Sequence, residues 1–183
     1  GGEITTQGEP EACLALEHAL AAGDSDEIQD LTHGFHTYPA RMHPLIARAL
    51  IASFAEPGDV VLDPFCGSGT VLVEAMVAGC RPQGVDLNPL ALRISEVHCA
   101  LRGTAARQRF LSHLEQVAEA SEARVRGRER AHIPLDREQG KLYQPHVLFE
   151  LAGLWEEIAR VPHTDDRRAL TIVFSSLLVQ FSR

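Results

Sequence analysis

The chain has 183 residues, 45% apolar, 23% charged and 5% aromatic, with a formal net charge of −8 at pH 7. That length and apolar content suit a globular domain of ordinary size with a real core. No apolar run approaches the ~18 residues of a membrane span, and an acidic chain does not grip phosphates by charge alone. The few aromatics argue against a base-stacking platform. Cys13, Cys66, Cys80 and Cys99 lie far apart with no C-x-x-C spacing, which reads as free thiols in a reducing, cytoplasmic setting.

Glu9-Pro10 opens a short helix ending near Gly23, with proline at the first helical position. Residues 24–37 read as a polar, histidine-containing connection. A helix over 43–54, a strand over 59–63, a helix over 69–79, a strand over 82–86 and a helix over 89–102 then make a β-α-β-α core with one helix ahead of it. Parallel strand order and a right-handed crossover follow. Gly103-Thr104 punctuates, and a charged helix spans 104–126 with Phe110, Leu114, Val117 and Ser121 on one side. Residues 126–140 read as a loop.

Beyond it, Val147, Leu148, Leu151, Leu154, Trp155 and Ile158 repeat at helical spacing, as do Leu170, Val173, Phe174, Leu177, Leu178 and Phe181. These amphipathic stripes must be buried, either in an ordinary core or at an interface with an absent half or another chain. Two parallel strands need cover on both faces and usually more strands, so the chain is expected to be marginal, helix-dominated or oligomeric.

The most informative stretch is Val60-Val61-Leu62-Asp63-Pro64-Phe65-Cys66-Gly67-Ser68-Gly69-Thr70. Apolar β-formers run into a carboxylate, proline stops the ladder, and two glycines let the backbone turn into a helix closed by Gly79. Strand, glycine turn and helix N-terminus make a ligand site at the carboxyl end of a first strand. A P-loop would need a lysine after the turn, and the chain's only lysine is Lys141. The dinucleotide fingerprint matches at Gly67 and Gly69 but puts Leu72 where a small residue is needed for helix–strand packing. A carboxylate at the strand tip also repels a diphosphate and suits a ligand with a cationic part, such as S-adenosylmethionine (SAM), which carries an ammonium and a sulfonium. Asp86 ends the second strand, 23 positions after Asp63, near the offset of a ribose-binding acid. Asp86-Leu87-Asn88-Pro89 also reads as a helix N-cap, and both readings can hold, with Asn88 capping while Asp86 binds.

Asp63 to Thr70 followed by Gly84-Val85-Asp86-Leu87-Asn88-Pro89 resembles the cofactor half of the exocyclic-amine DNA methyltransferases, which act on adenine N6 or cytosine N4 and share the pattern with some RNA methyltransferases. Upstream, the segment from His36 to Pro44 and the helix from Leu45 to Ile51 are similar to the segment that precedes the glycine turn in that group. The resemblance covers roughly residues 33–102. It implies an α/β, Rossmann-like SAM-dependent methyltransferase core with a partial parallel sheet and extra helices after the second strand. Its cofactor-binding residues would be Tyr38, Pro39, Arg41, Asp63, Pro64, Phe65, Cys66, Gly67, Ser68, Gly69, Thr70, Asp86, Leu87 and Asn88, with Arg41 a candidate for the SAM carboxylate. The expected organisation is an amino-terminal helix and connection over 1–32, a SAM-binding part over 33–103 and a helical insertion or extension over 104–183.

These enzymes also carry a catalytic [DNS]-P-P-[YFW] loop that accepts hydrogen bonds from the target amine and stacks on the flipped base. The 183 residues contain no Pro-Pro pair. The chain is therefore expected to be the amino-terminal part of a longer or split enzyme, inactive alone, with no catalytic residue of its own. The partner would be nucleic acid, DNA ahead of RNA, engaged through the complete enzyme, and the carboxyl-terminal helices could dock a partner chain or a second copy. The alternatives are a non-catalytic SAM-binding scaffold and a tRNA base methyltransferase. Residues 102–130 hold seven arginines against four glutamates and read as a solvated helix face or a phosphate track. Glu74, on the helix after the turn, reads as a solvated face residue, with a hydrogen bond to the cofactor loop as the alternative. The spacing of His33, His36 and His43 makes only a weak metal motif, so no metal is expected.

Overall fold

A computed structural model describes residues 5–23, 31–34, 36, 38–39, 41–100 and 102–182. The chain divides into two compact units, Gly1–Ala100 and Leu101–Arg183.

The first unit runs α1 (Pro10–Ala22), α2 (Pro44–Phe54), β1 (Val60–Asp63), α3 (Thr70–Val77), β2 (Arg81–Gly84) and α4 (Pro89–His98). Each long helix starts for a local reason. Glu9 caps α1 by accepting from Ala12 N at 2.8 Å, and Pro10, Pro44 and Pro89 occupy first helical positions that need no donor. α1 packs on α2, and Gly23 ends it where a Cβ would come within 2.6 Å of Ile46 Cδ1.

β1 and β2 pair in parallel, Val60 opposite Arg81 through Asp63 opposite Gly84. The pairing runs one residue beyond β2, because Val85 N donates to Asp63 O at 2.9 Å. Ile51 of α2, Ala75 of α3 and Cys80 form the core against one sheet face, where Val61 packs. The other face is bare: Val60, Leu62 and Val85 are 47%, 60% and 56% exposed. The observed sheet is thus a two-strand parallel pair in a mostly helical chain.

The second unit contains α5 (Thr104–Gly127), α6 (Arg137–Gly140), α7 (Pro145–Arg160) and α8 (Thr164–Gln180). Its apolar stripes meet each other: Leu151 and Ile158 of α7, Leu170 and Phe174 of α8, Val117 of α5, and Tyr143 and Val161 from the connections form one core. Trp155 tilts against Phe174 at 5.4 Å between centroids, and Tyr143 OH donates to Leu178 O at 3.0 Å. These stripes therefore meet in a core of their own, while Phe181 at the end of the α8 stripe stays 49% exposed.

Two expectations need correction here. The loop read over 126–140 contains α6, started by a capping box in which Asp136 Oδ1 accepts from Gln139 N at 2.8 Å and Gln139 Oε1 from Asp136 N at 3.0 Å. The arginine-rich stretch is not simply a solvated face or phosphate track. Arg102 and Arg109 donate to the fully buried Asp166 at 2.6 and 2.9 Å, and Arg124 pairs with Glu157. Among the described residues, no helix is long and apolar enough to cross a membrane.

Candidate functional site

The site is built where β1 ends. Asp63 Oδ1 accepts from Phe65 N at 3.0 Å, which bends the chain over Pro64 and turns Phe65 outward, 82% exposed. Cys66 N then donates to Val85 O at 2.9 Å, tying the turn to the end of β2. Gly67 and Gly69 adopt φ of +49° and +89°, left-handed conformations that side chains disfavour. Gly69 is also the N-cap of α3, and its N–H closes the turn onto Cys66 O at 2.7 Å. Ser68 and Thr70 are buried on either side of it.

Asp86 joins this turn to the loop after β2. Its Oδ2 accepts from Gly67 N at 2.9 Å and its Oδ1 from Asn88 N at 2.8 Å. Asn88 Oδ1 in turn accepts from Leu90 N at 2.9 Å and caps α4. Leu87 lies between them, exposed to solvent. The segment upstream of α2 reaches over the same place. The Tyr38 ring lies against Gly67, where a Cβ would sit 3.4 Å from Tyr38 Cε1, and Tyr38 OH accepts from Asn88 Nδ2 at 3.2 Å. Pro39 follows, exposed, and Arg41 Nη1 donates to His33 O. The upstream residues Thr37 and Ala40, and residues 24–30 of the connection, lie outside the described residues.

Asp63 and Asp86 are half-buried, and among the described residues neither has an ion-pair partner. Burial pushes the Cys66 thiol up, and both carboxylates add to the effect, so the sulfur stays protonated and packs as a small apolar group. No group of three or more possible metal ligands occurs among the described residues. His43 instead accepts from Leu45 N at 3.3 Å and caps α2.

Sequence reasoning misplaced one residue and passed over others. Glu74 is not on a solvated face: it is fully buried, with Oε1 2.8 Å from His33 Nε2 and Oε2 accepting from Arg48 Nε at 2.8 Å. Burial works against its charge, yet the hydrogen bonds from Arg48 and His33 outweigh it and hold the carboxyl below its ordinary range. A signal existed. Thr70, Leu72, Val73 and Ala75 leave α3 apolar around Glu74, and a lone carboxylate in such a helix requires a buried partner. His98 is buried beside Ser68. Burial pulls its pKa down to about 4, with the charges of His33, His36 and Arg41 acting in the same direction.

Gly84 has a packing role that the sequence motif does not reveal. A Cβ there would lie 2.6 Å from Leu72 Cδ1 and 3.0 Å from Cys66 Cβ. The close helix–strand approach is thus made by removing the side chain from β2, and Leu72 by itself no longer argues against a dinucleotide. The Asp63 carboxylate beside the turn still does. A bend of bare backbone between two anions can hold a ligand that brings hydroxyls and positive charge, and it repels a diphosphate.

Residues 20–97 match the model of a family described as DNA methylase. The chain is similar to the Type II methyltransferase M.MjaII of Methanocaldococcus jannaschii, 37% identical over 65 residues that make up 36% of this chain and 12% of the relative. It is similar to the Type II methyltransferase M.MvaI of Kocuria varians, 36% identical over 90 residues, 48% of this chain and 20% of the relative. A tRNA (guanine(10)-N2)-dimethyltransferase of Methanothermobacter thermautotrophicus is 44% identical over 52 residues, 28% of this chain and 16% of the relative. The matched segments thus span a fifth or less of the length of these three relatives. No solved structure matches. The glycine turn and both strand-tip carboxylates fall inside residues 20–97, the segment through which the chain is similar to the DNA methylase family.

Proposed function

We propose that this chain is the SAM-binding part of a methyltransferase that methylates an exocyclic amine of a nucleic-acid base, with DNA ahead of RNA. The observation that carries the reading is the Gly67 N–H on the Asp86 carboxylate, 2.9 Å long. It ties the glycine turn to the loop after β2, beside the end of β1 where Asp63 lies. Asp63 and the Gly67–Gly69 turn receive the methionine part, where positive charge offsets the two carboxylates. Asp86 has one amide on each oxygen and keeps lone pairs for the ribose hydroxyls. Tyr38, Pro39 and Arg41 cover the amino-acid end, and Pro64, Phe65, Cys66, Ser68, Thr70, Leu87 and Asn88 complete the wall. In this reading the β1–β2 pair is part of a Rossmann-like sheet.

When bound, SAM supplies a methyl on a positively charged sulfur. The chain's own residues hold and orient it. The acceptors that draw the amine lone pair toward that methyl belong to a [DNS]-P-P-[YFW] loop, and no Pro-Pro pair occurs among the 183 residues. The chain alone therefore binds donor without turnover. Calorimetry tests the first half: S-adenosylhomocysteine should give saturable heat and NAD none, and the reverse would refute the reading. Methyl transfer to DNA and to tRNA, with this chain alone and with a loop-bearing partner segment supplied, tests the second. The tRNA arm is included because one of the similar proteins is a tRNA dimethyltransferase. Activity by the chain alone would contradict the assignment of the catalytic groups.

A further inference from the structure

The triad beneath the crevice has a cost that packing alone does not explain. Glu74 is fully buried, His33 is nearly so, and Arg48 closes the group with Nε and Nη2 at 2.8 and 3.2 Å from the carboxylate. An apolar residue of similar size at position 74 would fill α3 without taking a charge out of water, and such replacements are often neutral or stabilising. Only one member of the triad, His33, lies in the segment that crosses the glycine turn. Its side chain meets Glu74 and its carbonyl accepts from Arg41 Nη1. Next to it, Thr32 Oγ1 donates to His98 O at 3.2 Å, while Tyr38 rests on Gly67 and bonds Asn88. A chain of direct contacts thus leads from α3 through Glu74 to the ring of His33, and from the carbonyl of His33 to the guanidinium of Arg41.

We infer that Glu74 is a positioning residue: by holding His33 it sets Arg41 and the segment around it at the amino-acid end of the crevice. Arg48 fixes the carboxylate from the opposite side with two nitrogens and leaves Oε1 aimed at His33. The inference rests on the donor-binding reading above and adds a division within it. The amino-acid end depends on Glu74 and His33, whereas the nucleoside end depends on Asp86 and does not.

The test uses two probes that share the nucleoside, S-adenosylhomocysteine and 5′-methylthioadenosine, which lacks the amino-acid portion. Glu74→Gln removes the charge with little change in shape, and His33→Phe removes the ring nitrogen and cuts the link while leaving Arg48 on Glu74. Each variant should bind S-adenosylhomocysteine about 10-fold more weakly, the loss of roughly one charge-assisted hydrogen bond. Each should bind 5′-methylthioadenosine within about 2-fold of the unmodified chain, because Asp86 is unchanged. The double variant should be no worse than either single one, since both cut the same link. A purely structural role would weaken both probes in parallel, and that result, or unaltered binding of both, overturns the inference. Unfolding of both variants, seen by circular dichroism, would make the triad a fold element and overturn it equally. If the unmodified chain binds neither probe, the donor-binding reading itself fails, a distinguishable outcome.

Discussion

Asp86 accepts one amide from the glycine turn and one from its own loop, so it organises the crevice before any ligand arrives. Replacing it removes both the hydroxyl acceptors and the tether on Gly67. A hydrogen bond to a charged group is worth about 1.5–3 kcal/mol, so Asp86→Ala should weaken S-adenosylhomocysteine binding at least ~10-fold, read by calorimetry. Equal affinity would remove Asp86 from the site. Asp86, Gly67 and Gly69 were legible in the sequence because each advertises itself locally, a carboxylate at a strand end and two glycines where the chain reverses. Glu74 was not read correctly because its partners lie 41 and 26 positions away, and helix periodicity does not reveal them.

Between elements, the contact that sets the site's shape is α3 against β2. Leu72 reaches the backbone at Gly84, and Cys66 closes the same space. Gly84→Ala should cost about 1–3 kcal/mol of stability through overpacking, measured by urea unfolding, with Leu72→Ala in the same chain restoring part of it. An unchanged midpoint for Gly84→Ala would mean that α3 and β2 shift freely. Sequence patterning located both elements, with boundaries displaced by one or two residues, yet gave no indication of this pairing, because the close approach is defined by the space a missing side chain leaves. The second unit shows the same limit. Its helical stripes were visible as stripes, while the clamp of Arg102, Arg109 and His113 on Asp166 was not, and an isolated reading of the arginines favoured solvent or phosphate.

At the scale of the molecule, acid acts on the buried charges in sequence. His98 is held neutral, with its pKa pulled from 6.5 to about 4 by burial. The unfolded chain takes up that proton below about pH 6.5 and the folded chain does not, so stability falls as pH drops through this window. Glu74 and Asp166, both held below their ordinary values, lose their contributions at lower pH still, Asp166 toward about 2. Thermal melts should therefore fall between pH 7 and pH 5, before Glu74 and Asp166 are protonated, and His98→Gln should flatten that part of the profile. A melting point constant over that range would place His98 in water.

The whole-chain expectation of a helix-dominated molecule with a partial sheet matches what is observed: Val60, Leu62 and Val85 present a bare apolar face where parallel sheets are normally covered. The proposed donor site lies on the carboxyl side of that sheet. A crystal structure with S-adenosylhomocysteine tests it most directly. The ribose hydroxyls should lie on Asp86 and the amino-acid end over Gly67 beneath Tyr38. Ligand density elsewhere, with that crevice empty at saturating concentration, would contradict it.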